Sequence, residues 1–223
     1  MTELAAIWNR ARSDLVIPTE QGGQDLYLWE HSSRVTRAAE QIMKLPSVAK
    51  LSPDEAAVVA AALYHDSAWA LRVRNKEIAR YEVLVSSPKP DHHEQSTLLM
   101  KRSLADLVSA ESLERATAAI ESLDHRDIEP VEGQILADAE SLDEFGVVSL
   151  WAAVRRGAFE GHAVEDFISR WQKKTEYHFW NARLSDAFRF QAVRALAKKR
   201  LERLEELMRE LKDEQNAGDF GSS

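Results

Sequence analysis

The sequence is 223 residues long, 44% hydrophobic and 30% charged, which gives an ordinary globular composition and enough chain for one sizeable domain. A net charge of −8 argues against broad binding to nucleic acid or to an anionic membrane, both of which need a basic surface. Cysteine is absent, which excludes disulfides, thiolate metal sites and a cysteine nucleophile.

No apolar run approaches the ~20 residues of a membrane span. The opening Met1-Thr-Glu-Leu-Ala-Ala-Ile lacks the basic-then-apolar pattern of a secretory signal, and a cytoplasmic protein is expected. With eight glycines, six prolines and no sustained period-two alternation, the chain reads as all-α. A first helix is predicted from about Thr2 to Leu15, ending before Ile17-Pro18 and the Gln21-Gly22-Gly23 loop. The second runs from about Leu26 to Leu45, where Pro46 stops it. On it His31, Val35, Ala38, Ala39 and Ile42 share one inward stripe. The third opens at Ser52, a predicted N-cap, with Pro53 at the first helical position and Glu55 completing a capping box. Its run from Ala56 to Leu63 is apolar on every side, as in a central buried helix. His65-Asp66 falls at its end.

The stretch from Ser67 to Asp91 is less regular and locally basic. Helices resume at about 91–108 and 112–123. After a turn around Pro130 another helix carries Asp138, Glu140 and Phe145, with a bend at Gly146 before 147–156. Gly157 and Gly161 mark a further loop. The last helix is predicted as one long element, about Leu184 to Asp213, whose leucine stripe packs on the domain or on a second subunit, so a homodimer is an open expectation. The domain plan is 1–25 as an N-terminal helix and loop packing on the domain, 26–215 as a single helical bundle with a buried metal cleft and a long C-terminal helix, and 216–223 as a disordered tail.

His31, His65-Asp66 and Asp138 carry the chemistry. Imidazole and carboxylate together suit a divalent transition metal, and a buried carboxylate is costly unless it is paired or bound to a cation. A site of two His and two Asp keeps positions open for water and substrate, which points to hydrolysis. No phosphate-cradling glycine loop and no Ser/His/Asp nucleophile arrangement is found. His162 and His178 lie outside the pattern and read as structural.

These residues resemble the HD superfamily of metal-dependent phosphohydrolases, named for the doublet. The pattern His … His-Asp … Asp is present as His31, His65-Asp66 and Asp138. His31-Ser-Ser-Arg34-Val35 looks like the His-x-x-Arg-Val of many members. Asp138-Ala-Glu-Ser-Leu-Asp143-Glu-Phe-Gly146 is similar to the Asp-Ala-Asp-x-Leu-Asp-x-x-Gly stretch of small stand-alone bacterial members. The resemblance covers about Leu26 to Glu214; its motifs are specific for the superfamily and not for a substrate.

The resemblance implies that His31, His65, Asp66 and Asp138 hold one divalent ion, Mn²⁺, Mg²⁺, Fe²⁺, Co²⁺ or Ni²⁺, with His65, Asp66 and Asp138 at the reacting centre. Glu140 stands where such members often have a second Asp, and it is the alternative last ligand. Some members use further histidines for a second ion or to contact phosphate. Here His93, preferred over His92, and His125 are expected to bind substrate together with Arg34, whose fork suits phosphate. The implied activity is hydrolysis of a phosphate ester or phosphoanhydride in a small nucleotide-like metabolite, with no nucleic-acid polymer and no membrane as partner. The alternatives are a non-phosphate hydrolase or lyase on the same metal site, and a non-catalytic helical binding or scaffold protein.

Overall fold

The computed structural model describes residues 2–221. Helices dominate it, as expected. The one sheet is a two-stranded antiparallel hairpin of Ile17–Pro18 (β1) with Gln24–Asp25 (β2), formed where the sequence showed only a loop. Among the described residues no helix is long and apolar enough to cross a membrane.

The chain divides into two compact units, residues 1–140 and 141–223. The first helix, α1 (Glu3–Leu15), buries Ile7, Ala11 and Leu15 and lies within the first unit. The division at 140/141 falls inside a continuous helix, α8 (Val131–Asp143), so no Pro- or Gly-rich linker marks it.

In the first unit α2 (Tyr27–Met43) and the short α3 (Pro46–Ala49) lead to α4 (Glu55–Tyr64). Every residue of α4 from Ala57 to Tyr64 is inaccessible to solvent. Small alanines let α2 and α7 (Ala110–Glu121) pack closely on α4, with α1 and α6 (His92–Leu104) completing its surround. The predicted N-cap is corrected. Asp54 takes that role, its Oδ1 accepting from the Ala57 N–H at 3.0 Å. Ser52 sits at φ 51°, a left-handed geometry unlike the extended backbone of an N-cap.

The start of α4 is held by a buried polar group. Glu132, 4% exposed in the first turn of α8, accepts from the Asp54 N–H at 3.0 Å and pairs with Arg115. Ser112 donates to Asp54 Oδ2 at 2.7 Å. The far end is tied by Tyr64, whose hydroxyl donates to Asp14 of α1 at 2.7 Å. The irregular segment after the doublet contains α5 (Ala68–Arg74) and a single 3-10 turn at Arg80–Glu82.

The second unit holds α9 (Ser149–Glu160), α10 (Val164–Glu176), α11 (Phe179–Asp186) and α12 (Gln191–Gln215). Gly157 lies within α9, not in a loop; Gly161 ends that helix at φ 73°, a left-handed position that glycine takes without strain. The single last helix is corrected to two, α11 and α12. The break leaves Phe188 buried, 5.4 Å from the Phe145 ring. Leu201, Leu204 and Met208 of α12 are buried, and Leu204 and Met208 pack with Ile168 in this unit's own core. Of the expected tail, Gly218–Gly221 form a 3-10 turn and 222–223 lie outside the described residues.

Candidate metal centre

The doublet sits in the turn that joins α4 to α5. His65 closes α4, its N–H bonding Ala61 O at 2.9 Å, and the Trp69 N–H returns to Asp66 O at 3.1 Å. Ser96 of α6 pins this turn: its Oγ accepts from the Ala68 N–H at 3.0 Å, and its carbonyl accepts from the Ser67 hydroxyl at 3.4 Å. The C-terminal end of a helix carries partial negative charge, which favours a cation beside His65.

His31, from α2, meets the doublet. Its Nε2 lies 3.3 Å from His65 Nε2 and 3.4 Å from Asp66 Oδ2, and the remaining edge, His65 Nε2 to Asp66 Oδ2, is 3.6 Å. These three residues form a group able to hold a metal ion. Donors held at about 2.1 Å from a common ion, and 90–109° apart, stand roughly 3.0–3.4 Å from one another, so the observed triangle has nearly the edges of a coordination sphere. His65 donates its Nδ1 proton to Ala62 O at 2.9 Å, which leaves the Nε2 lone pair facing the other two donors. Three electron-rich atoms this close repel unless a proton or a cation lies among them. The donor set therefore fits a divalent ion.

The electrostatics agree. Burial pushes the His65 imidazole down from 6.5 to about 4, against the attraction of Asp66, so it is neutral and ready to bind near pH 7. Burial alone would raise Asp66, but the His65 imidazole and hydrogen bonds from His31 and His92 hold its carboxyl well below the usual range. The carboxylate is therefore ionised.

His92 is the functional residue that the sequence reading passed over. Its Nε2 lies 2.8 Å from Asp66 Oδ1, and the ring is buried against Trp69. Because Asp66 is ionised, His92 donates. That bond takes Oδ1 and leaves Oδ2 facing the two histidines. The preferred His93 instead places Nδ1 2.8 Å from Asp124 Oδ1, although it stays close enough to His65 to lower that group's proton affinity. Burial separates the pair: His92 is 3% exposed and lies against Asp66 and Trp69, whereas His93 is only partly buried.

His125 is exposed, in the segment just after Asp124. Arg34 is half-buried on α2, three residues beyond His31. Asp138 is fully buried on α8, in the same unit as the triangle, and Glu140 is partly buried. Replacing His92 by Ala frees Asp66 Oδ1 and is expected to weaken metal binding about 10–100-fold without removing it. Isothermal titration with Mn²⁺ checks this; an unchanged affinity would deny His92 its orienting role.

No protein-family model matches the sequence, and no curated protein matches it. Solved structures do resemble it. YpgQ from Bacillus subtilis superposes with a TM-score of 0.59 at 23% identity, covering 96% of this chain and 97% of that one. A protein described as a predicted HD superfamily hydrolase, from an uncultured Thermotogales bacterium, gives a TM-score of 0.58 at 18% identity, covering 95% of this chain and 92% of that one. A Lactobacillus plantarum protein gives 0.57 at 19%, covering 97% and 99%. The chain has the HD-domain fold, with its His65-Asp66 doublet at the end of a helix buried from Ala57 to Tyr64.

Proposed function

We propose that the protein is a metal-dependent phosphohydrolase that cleaves a phosphate ester or phosphoanhydride in a small nucleotide-like metabolite. The observation that carries this reading is the triangle of His31 Nε2, His65 Nε2 and Asp66 Oδ2, with edges of 3.3 to 3.6 Å. Asp138, a buried carboxylate on α8, serves as the fourth ligand, with Glu140 as its alternative. One ion is proposed, drawn from Mn²⁺, Mg²⁺, Fe²⁺, Co²⁺ and Ni²⁺. When bound, it supplies a Lewis acid that lowers the pKa of water and polarises a phosphoryl group.

The protein's own groups do the rest. His65 presents a fixed lone pair because Ala62 holds its other nitrogen. Asp66 keeps one oxygen toward the centre because His92 holds the other. Arg34 offers a bidentate fork to a phosphate. His93 and His125 contact the phosphate from the ends of α6 and α7, which the His93–Asp124 pair joins. A net charge of −8 supports a diffusible substrate over a nucleic-acid polymer. The YpgQ neighbour has been solved in complex with ADP, which supports a nucleotide-like ligand for this fold.

The test is a substrate panel. The purified protein, loaded in turn with each of the five ions, is offered nucleoside mono-, di- and triphosphates, sugar phosphates, and carboxylic esters and amides. Release of phosphate or pyrophosphate from at least one member, abolished by EDTA and restored by metal, is the expected result. Turnover of only non-phosphate substrates would replace the reading with another hydrolase or lyase. No bound ion and no change in melting after chelation would favour a scaffold.

A further inference from the structure

We infer that Arg72 is a positioning residue for the metal centre: through Asp91 and Trp69 it fixes the ring of His92, and His92 in turn fixes which oxygen Asp66 keeps toward the ion. This role rests on the metal-binding reading proposed above. A histidine that must aim one ring nitrogen is commonly set by a hydrogen bond on the other. His92 lacks that hold. Its Nε2 lies 2.8 Å from Asp66 Oδ1, but its Nδ1 is buried without a hydrogen-bond partner among the described residues. The aim of the ring must come from what packs on it and from where the backbone begins α6.

Helix α5 supplies both. Trp69 and Arg72 stand three residues apart and share one face of it. Trp69, itself buried, sets its ring 5.1 Å from the His92 ring. The Arg72 guanidinium carbon lies 5.9 Å from the centre of the same indole, within reach of a cation–π contact. Arg72 Nη2 also donates to Asp91 Oδ1 at 2.6 Å, and Asp91 is the residue directly before His92. One arginine therefore meets both the ring that packs on His92 and the backbone that delivers it.

The setting of this ion pair favours positioning over general stability. The Arg72 side chain is 5% exposed and that of Asp91 48%. A guanidinium so enclosed gives up most of its hydration, and a half-wet partner returns little net stability. What the pair does fix is geometry, because the enclosed cation must meet its carboxylate. Asp91 stands at the N-cap of α6, yet its side chain makes no capping hydrogen bond. It reaches back to α5 instead, and so ties the start of α6 to the helix that follows the doublet.

Calorimetric titration of the full chain with Mn²⁺ tests the role. Arg72→Met keeps an apolar stem and removes the cation. Asp91→Ala cuts the same pair at its exposed end and deletes no helix cap, so it serves if the buried substitution fails to fold. Each should weaken Mn²⁺ binding roughly 10-fold. In a His92→Ala background neither should weaken it by more than about 2-fold further, because both act through that ring. Full additive losses there overturn the inference. Nitrogen-edited NMR of the metal-free chain gives a second readout. The His92 Nε2 proton should be seen in the wild type and lost in both variants, while the His65 Nδ1 proton, held by Ala62 O, persists. A His92 signal absent from the wild type or unchanged in both variants overturns the inference. So does loss of both ring signals together, which would mark a general loosening. A wild-type chain that takes up no ion ends the metal reading, and the ring protons still decide what Arg72 does for His92.

Discussion

Asp66→Asn is expected to weaken binding of a divalent cation by on the order of 10³-fold and to reduce turnover at least as much. The substitution keeps shape and removes charge, so it isolates the electrostatic role. In the native chain His31, His65 and His92 all bear on this one carboxylate, at 3.4, 3.6 and 2.8 Å. Saturating metal should raise the wild-type melting temperature by about 5–10 °C, as ligand at ~100 Kd adds roughly 2.7 kcal/mol, and this increment should vanish in Asp66→Asn. A variant that keeps the thermal increment would show that the ion sits elsewhere.

The pH dependence follows from His65 in the metal-free protein. The unfolded chain takes up a proton near 6.5, whereas burial keeps the folded imidazole neutral down to about 4. The unfolded state therefore binds more protons between those limits. Stability from this group is full above pH 6.5 and declines as pH falls toward 4, by about 3 kcal/mol in all. Asp66, held low, adds a further loss only below the ordinary carboxylate range. Proton NMR of the His65 ring should show no titration between pH 7 and 5; a midpoint near 6.5 would contradict the burial argument.

Glu132→Ala is expected to cost about 2–4 kcal/mol and lower the melting temperature by roughly 5–15 °C. Glu132 is the acceptor for the Asp54 N–H, which begins α4, and the partner of Arg115. Removing it leaves the Asp54 N–H without its acceptor at the start of α4, while Arg115, 38% exposed, keeps access to water. Glu132→Gln keeps an acceptor for the N–H and should lose about half as much. Because Glu132 frames α4 without touching the metal-facing atoms, metal affinity should fall far less than in Asp66→Asn. Thermal melts and metal titrations on the three proteins separate frame from ligand.

Much of this was legible in the sequence where one helix decides its own fate. The apolar run Ala56–Leu63 could only be a buried helix, and a His-Asp pair at its end could only be paired or ligated. What stayed hidden depended on distant parts of the chain. Ser52 has the chemistry of an N-cap, but the turn after α3 places it at φ 51°, and Asp54, bonded to Ser112 and Glu132, takes the role. The break between α11 and α12 carries no Pro or Gly. It is held by burial of Phe188 and by Arg194 donating to the Phe188 carbonyl at 2.7 Å. The choice of His92 over His93 was not present in the register, because Ser96 and Thr97, four residues beyond each, are both buried, and only the fold sets one ring against Asp66.

The sealed interior of α4 has a consequence for how this protein can change. From Ala57 to Tyr64 every side chain is fully enclosed, and the next two residues are the doublet. A methyl group added anywhere along that segment must push on a neighbour, and the helix transmits the displacement to His65 and Asp66. Directed evolution toward a new substrate should therefore find almost no acceptable changes along this rod, and should gather its gains on Arg34, His93, His125 and the basic stretch between Arg72 and Lys89.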